Sequence, residues 1–128
     1  MMVDKKKYNV DITVETAYID TQSSPILHQY VFSYTISITN TGTIPTKLLR
    51  RHWLVTNSEG KIFEVEGEGV VGEQPKIKPG ETYQYTSGTV LDTPVGTMEG
   101  AYQMIAEDGS QLEVTIPPFM LAMPKQLH

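Results

Sequence analysis

The sequence predicts an all-β fold, an antiparallel β-sandwich of seven to eight strands. Apolar and polar residues alternate in several short segments, and turn signals recur roughly every 8 to 12 residues. No stretch of comparable strength shows the period of a helix. A chain of 128 residues is long enough to bury one core, so we expect a single domain at 1–128, with tails at 1–8 and 120–128.

Alternation of apolar and polar residues defines the predicted strands. In chain order they are 10–19, 29–39, 46–56, 61–66, 81–88, 96–107 and 111–116. The first alternates from Val10 to Val14, and the second shows the clearest alternation in the chain. The third carries the single tryptophan, Trp53, and its alternation predicts that Leu49 shares the face of Trp53 while Leu48 lies on the other face.

Turn signals separate the later strands. Asn57–Gly60 precedes the fourth strand, Pro79–Gly80 precedes the fifth, and Asp108–Gly109 joins the last two as a hairpin. We expect Pro117 and Pro118 to end the sheet. One core between the two sheets should contain the large residues of these strands: Tyr30, Phe32, Tyr34, Ile36, Ile38, Trp53 and Tyr102.

Three glycines after the fourth strand, Gly67, Gly69 and Gly72, match the G-x-G-x-x-G pattern that binds a pyrophosphate where a helix begins. Pro75 and the turn at Pro79–Gly80 exclude a helix here. We therefore interpret the glycines as positions of positive φ or close approach in an irregular crossing between strands. Anion binding by backbone amides in a concave turn is an alternative, although neighbouring glutamates would repel a phosphate.

The sequence predicts no catalytic residue, no metal site and no cofactor. Its three histidines lack H-x-H or H-x-x-x-H spacing, and there is no cysteine. We interpret His52 as a surface or hydrogen-bonded histidine. Glu66 at the end of the predicted fourth strand, with Glu68 and Glu73 in the loop after it, would bind magnesium weakly. No serine lies in a G-x-S-x-G elbow, so we predict that the chain is not an enzyme.

Charge and composition restrict the partners and the location. With 10 basic and 15 acidic residues, the net charge of −5 disfavours nucleic acid. Neither a membrane-spanning run nor an apolar signal segment is present, so no membrane association is expected. The absence of cysteine fits the reducing cytoplasm. The short apolar segment at 119–123 is expected to pack on the sandwich edge or to join subunits of a homo-oligomer.

Several ordered motifs resemble the ApaG family. They are G-E-G-V-V-G-E-Q-P, P-G-E-T-Y-Q-Y-T-S-G and L-D-T-P-V-G-T-M-E-G-A-Y, with Arg51-His52-Trp53 upstream, and the resemblance extends from Val10 to Phe119. It implies a small β-sandwich similar to immunoglobulin and fibronectin type III domains. It also implies a link by name to cobalt and magnesium efflux in bacteria, and an interaction role within eukaryotic F-box and polymerase-associated proteins.

The favoured function is a non-enzymatic protein-interaction or regulatory module, linked indirectly to cobalt and magnesium tolerance through an unidentified protein partner. The predicted binding surface combines the glycine-rich segment with nearby charge: Gly67, Gly69, Gly72, Glu73, Gln74, Pro75, Arg51 and His52. The alternative is a domain that binds a small ligand, such as phosphate, pyrophosphate or a nucleotide, through the glycine pattern.

Overall fold

The computed structural model describes residues 7–124, which form two antiparallel sheets packed face to face. The strands are β1 Val10–Tyr18, β2 Tyr30–Asn40, β3 Thr46–Asn57, β4 Ile62–Glu68, β5 Lys76–Ile77, β6 Thr82–Leu91, β7 Val95–Ala106 and β8 Gln111–Ala122. One sheet has the order β1-β2-β6, and the other has the order β4-β3-β7-β8 with β5 also paired to β3. The predicted all-β sandwich is therefore confirmed. The short strand β5 was not predicted.

The core lies between the two sheets and is centred on Trp53. Every second residue of β2, from Tyr30 to Ile38, is buried because β2 is the central strand of its sheet. The Trp53 ring packs edge-on against Tyr34 from the opposite sheet, at 5.4 Å between centroids, and against Phe119 at 5.8 Å. All seven residues predicted for the core are buried, which confirms that prediction.

A pair of tyrosine hydroxyls joins the two sheets inside this core. Tyr85 of β6 and Tyr102 of β7 are both buried, and their hydroxyl oxygens lie 2.5 Å apart. Burial raises the pKa of both phenols well above the ordinary value because the charged form would lose its hydration. Both hydroxyls therefore stay protonated, and one donates a hydrogen bond to the other.

The structure corrects the predicted faces of β3. The register between β3 and β7 shifts between Leu48 and Arg50, so Leu49 forms a β-bulge. An extra residue reverses the alternation on its N-terminal side, and Leu48 is fully buried while Leu49 is only partly buried. Thus Leu48, and not Leu49, faces the core together with Trp53.

The C-terminal end of the sheet also differs from the prediction. Pro117 and Pro118 do not end the sheet, because β8 continues to Ala122 beyond a register shift opposite Glu99. β8 is an edge strand, where a residue without an amide donor is tolerated. The segment predicted as an apolar tail therefore packs in the sandwich, with Leu121 fully buried and Met120 61% exposed.

The remaining described segments are short. The loop after β1 contains two single-turn 3-10 helices, Asp20–Gln22 and Pro25–Leu27. Tyr8 donates a hydrogen bond to Asp108 at 2.6 Å, so the last residue of the predicted tail at 1–8 is attached to the turn between β7 and β8. The rest of that predicted tail, residues 1–6, lies outside the described part. Within residues 7–124, no helix is long and apolar enough to cross a membrane.

Candidate functional site

The glycine crossing, residues 67–75, carries the chain from the end of β4 back to β3 through β5. The chain folds into a tight turn in which Val70 and Glu73 exchange two backbone hydrogen bonds, at 2.8 and 3.0 Å. The segment then returns to the same edge of β3, where β5 pairs with Thr46 and Lys47. No helix follows the glycines, as the sequence predicted.

Two of the glycines are required by backbone geometry. Gly69 has φ of +63°, and a Cβ at this position would lie 2.2 Å from the carbonyl oxygen of Glu73. Gly72 also has positive φ, +79°, but the space around its missing Cβ is open. The interpretation of these glycines as backbone residues is confirmed.

Val71 occupies the tip of the turn in a conformation that favours glycine. Its φ is +48°, and its side chain is 62% exposed. A β-branched residue in the left-handed region is strained by about 1 to 3 kcal/mol, so the surrounding structure must hold it there. The crossing therefore presents an apolar side chain to solvent in a strained, preformed turn. The sequence did not reveal this residue, because nothing local to a valine signals positive φ.

Hydrogen bonds attach the crossing to β3. The Leu49 carbonyl accepts from the Gly69 amide at 2.8 Å and from Gln74 Nε2 at 3.0 Å. The Leu48 amide donates to the Pro75 carbonyl at 3.0 Å. Gln74 and Pro75, predicted as binding residues, thus take part in anchoring the turn.

Arg51 supports the crossing from the core-facing side of β3. Its Nη1 donates to the carbonyls of Glu68 and Gly69, at 3.0 and 2.9 Å. A Cβ on Gly67 would lie 2.7 Å from the same nitrogen, so the glycine allows the guanidinium to pack on the backbone. Of the two charged residues included in the predicted surface, Arg51 therefore lies beside the glycines, and its geometry indicates a positioning role.

Glu73 connects the crossing to the other sheet. Tyr83 of β6 donates its hydroxyl hydrogen to Glu73 Oε2 at 3.0 Å. Partial burial, together with this hydrogen bond to a carboxylate, raises the pKa of Tyr83. The crossing is therefore held by both sheets.

Three amides of the crossing are already used in backbone hydrogen bonds. Those of Gly69, Val70 and Glu73 all donate to carbonyls of the protein. A phosphate would have to compete for them beside the exposed carboxylates of Glu68 and Glu73. This geometry disfavours the nucleotide alternative.

His52 lies on the outer face of β3, away from Arg51, because successive strand residues point to opposite faces. Its Nε2 is 2.5 Å from Glu64 Oε2 and 3.8 Å from Glu66 Oε1, both on β4. His52 is therefore a hydrogen-bonded surface histidine, and the structure does not bring it to the turn of the crossing.

These three side chains place potential metal ligands within 4.8 Å of one another. The expectation that Glu68 lies in a loop is wrong, because β4 extends beyond the predicted end at Glu66 to Glu68. Strand spacing places Glu64 and Glu66 on one face, and the hairpin register pairs Glu66 with His52. Imidazole and carboxylate ligands suit borderline divalent cations, but two of the three side chains are exposed.

Comparisons with known proteins identify the family. The model for the ApaG domain matches residues 20–106. The protein named Protein ApaG from Thiobacillus denitrificans is 54% identical, with 99% of this chain and 100% of the relative covered, and that from Nitrosospira multiformis is 51% identical over the same shares. A crystal structure of a Bordetella pertussis protein is 49% identical and superposes with a TM-score of 0.90, covering 93% of this chain and 97% of that one. The names of the relatives state no enzymatic activity. The chain belongs to the ApaG family.

Proposed function

We propose that this chain is a non-enzymatic protein-interaction module that binds a protein partner through the glycine crossing. The observation that carries the proposal is Val71, an exposed apolar side chain in a strained backbone conformation. A strained residue persists only where surrounding contacts determine its conformation, and such residues concentrate at binding sites. Val71 is largely exposed and does not belong to the hydrophobic core of the described chain.

The rigidity of the crossing supports recognition. Its contacts with β3, Arg51 and Tyr83 order the loop before a partner arrives. Binding then costs less conformational entropy than it would for a disordered loop. A preformed apolar tip surrounded by polar residues resembles the anchor and rim of protein interfaces.

The class of partner follows from charge. The net charge of −5 disfavours nucleic acid, so a protein is the better candidate. The lack of cysteine is consistent with a role in the cytoplasm. Any effect on cobalt or magnesium tolerance would then act indirectly, through the protein partner.

The experiment is affinity capture from extracts of the source cells with single variants of the tip. Val71→Asp adds a charge, whereas Val71→Gly removes the side chain and relieves the strain. Val95→Asp is the matched control, because Val95 is also an exposed valine but lies near the opposite end of β3. We expect both Val71 variants to lose the captured partner at least about tenfold, as for an interface anchor, and the control to retain it. Equal capture by all three variants would refute the proposal.

The alternative, small-ligand binding, is tested separately by titration calorimetry with ATP, ADP and pyrophosphate. We expect no binding at micromolar concentrations because three of the amides are already used. Micromolar binding that Gly69→Ala abolishes in a folded protein would favour the ligand-binding alternative.

A further inference from the structure

Strand β4 has one open edge in the described part of the chain, where it pairs with β3 alone. At one end of this pair the Asn57 amide donates to the Lys61 carbonyl at 2.9 Å. At the other end the Gly69 amide donates to the Leu49 carbonyl at 2.8 Å. Both bonds belong to the same antiparallel register, so they determine which residues of β4 direct their backbone groups toward β3.

In an antiparallel pair, hydrogen-bonded and non-hydrogen-bonded positions alternate. The odd-numbered residues of β4 therefore bond to β3, and the backbone groups of Ile62, Glu64 and Glu66 point toward the open edge. Unpaired amides and carbonyls along an exposed edge can accept another strand.

The side chains of β4 have opposite chemistry on the two faces. Phe63 and Val65 lie opposite Val55 and Trp53, so they point to the core-facing side, yet they are 41% and 45% exposed. Their exposure follows from their place at the edge, where the facing sheet does not cover them. Two half-exposed apolar side chains in one row can be buried by an added strand.

A groove continues the apolar surface beside Phe63. It lies between β4 and the end of β6 and is lined in part by Leu27, Val90 and Leu91. Leu27 and Val90 are largely exposed. The partner could therefore bury apolar side chains along both Phe63 and this groove.

The outer face of β4 carries a row of carboxylates, Glu64, Glu66 and Glu68. Their charge is only partly balanced by Arg50, whose Nη1 is 4.0 Å from Glu68. Exposed ion pairs of this kind contribute little and can exchange partners. A second copy of this chain would bring two acidic rows together, which disfavours self-pairing through β4. Charge complementarity instead requires a strand with basic side chains.

We propose that the open edge of β4 binds an extended segment of another protein in which apolar and basic residues alternate. Its backbone pairs with Glu64 and Glu66, its apolar side chains cover Phe63 and Val65, and its basic side chains face the carboxylates. This proposal rests on the proposed function in requiring a protein partner, but it depends on β4 and not on the tip at Val71.

The test uses a short amidated peptide that alternates Lys or Arg with Val or Ile, and a control peptide with Glu at the basic positions. Binding is followed by NMR, together with amide hydrogen exchange of Glu64 and Glu66. We expect the basic peptide to slow exchange of both amides at least about tenfold, because they become hydrogen-bonded, and the acidic peptide to leave them unchanged. Equal binding of both peptides, or binding without protection of these amides, would overturn the proposal.

A matched pair of variants isolates the backbone contribution. Glu66→Pro removes an outward amide without removing a bond to β3, whereas Glu66→Thr removes the charge and keeps the amide. We expect the proline variant to bind the basic peptide at least about tenfold more weakly than the threonine variant. Equal affinities would overturn strand pairing at this edge.

Charge reversal keeps the test decisive if the proline variant fails to fold. The double variant Glu64→Lys with Glu66→Lys should bind the acidic peptide in preference to the basic one. An unchanged preference would contradict the proposal.

The variant Val71→Asp separates this proposal from the one for the crossing, and it should bind the basic peptide as the wild type does. If Val71→Asp binds the peptide normally and also still captures the cellular partner, the proposal for the crossing fails and the proposal for β4 stands. If Val71→Asp no longer binds the peptide, the assignment of peptide binding to β4 fails.

Discussion

Replacing Gly69 by alanine should destabilise the protein much more than replacing Gly72. Both residues have positive φ, which costs alanine about 1 kcal/mol in each case. Only at position 69 would the new Cβ meet backbone, 2.2 Å from the Glu73 carbonyl oxygen. Relieving that contact requires the turn to open and weakens the two bonds between Val70 and Glu73, each contributing about 1 kcal/mol.

The expected losses in the free energy of unfolding are therefore about 3 kcal/mol for Gly69→Ala and about 1 kcal/mol for Gly72→Ala. For a chain of 128 residues, 1 kcal/mol corresponds to roughly 4 °C in Tm. The two variants should thus differ by about 8 °C in thermal unfolding followed by circular dichroism. Urea denaturation gives the same comparison at constant temperature. Equal losses for the two variants would refute the argument that the backbone contact, and not φ alone, requires glycine at position 69.

Three further predictions concern other parts of the chain. Tyr8→Phe should raise the pKa of Asp108, measured by NMR titration, because the Tyr8 hydroxyl is the main group that lowers it. The lowered pKa stabilises the fold at pH values above 3.8, the ordinary value of this carboxyl, and this stabilisation is lost as the pH falls below 3.8, so the variant should lose less stability on acidification. An unchanged pKa in the variant would contradict this prediction. Leu121→Ala should cost about 2 to 4 kcal/mol in urea denaturation because Leu121 is fully buried, whereas a loss below about 0.5 kcal/mol would mean that the C-terminal segment is not part of the core. In equilibrium dialysis, cobalt and magnesium should bind no more tightly than roughly millimolar, and any bound cobalt should be lost in His52→Ala. Retention of cobalt at micromolar concentration that His52→Ala abolishes would show that His52, Glu64 and Glu66 form a stronger site than their exposure predicts.

The fold was largely predictable because alternation reports burial directly. β2 lies at the centre of its sheet with one face on the core, so its pattern predicted both its limits and its buried residues. The bulge at Leu49 was not predictable in the same way, since it depends on how β3 pairs with β7, a distant strand. The continuation of β8 beyond Pro117 was missed for a related reason: only an edge strand tolerates proline, and edge position is a property of the assembled sheet.

The candidate site was predictable in part. The glycine spacing and Pro75 correctly indicated an irregular crossing without a helix. Strand alternation alone places Arg51 and His52 on opposite faces of β3, but the cluster of His52 with two glutamates required the register of the β3–β4 hairpin. Val71 gave no signal because its conformation is imposed by the contacts of its neighbours.

The hydroxyl pair of Tyr85 and Tyr102 has a consequence for which sequence changes the core can accept. Replacing one tyrosine by phenylalanine removes a partner and leaves the other hydroxyl buried and unsatisfied, at a cost of about 1 to 3 kcal/mol. Replacing both removes the requirement, and the two rings can keep their packing. The intermediate single replacement is thus less stable than either end point, so the two positions are energetically coupled although they are 17 residues apart in sequence and belong to different sheets. A lineage that loses both hydroxyls one at a time must therefore pass through a less stable single variant, and the second replacement restores the lost stability.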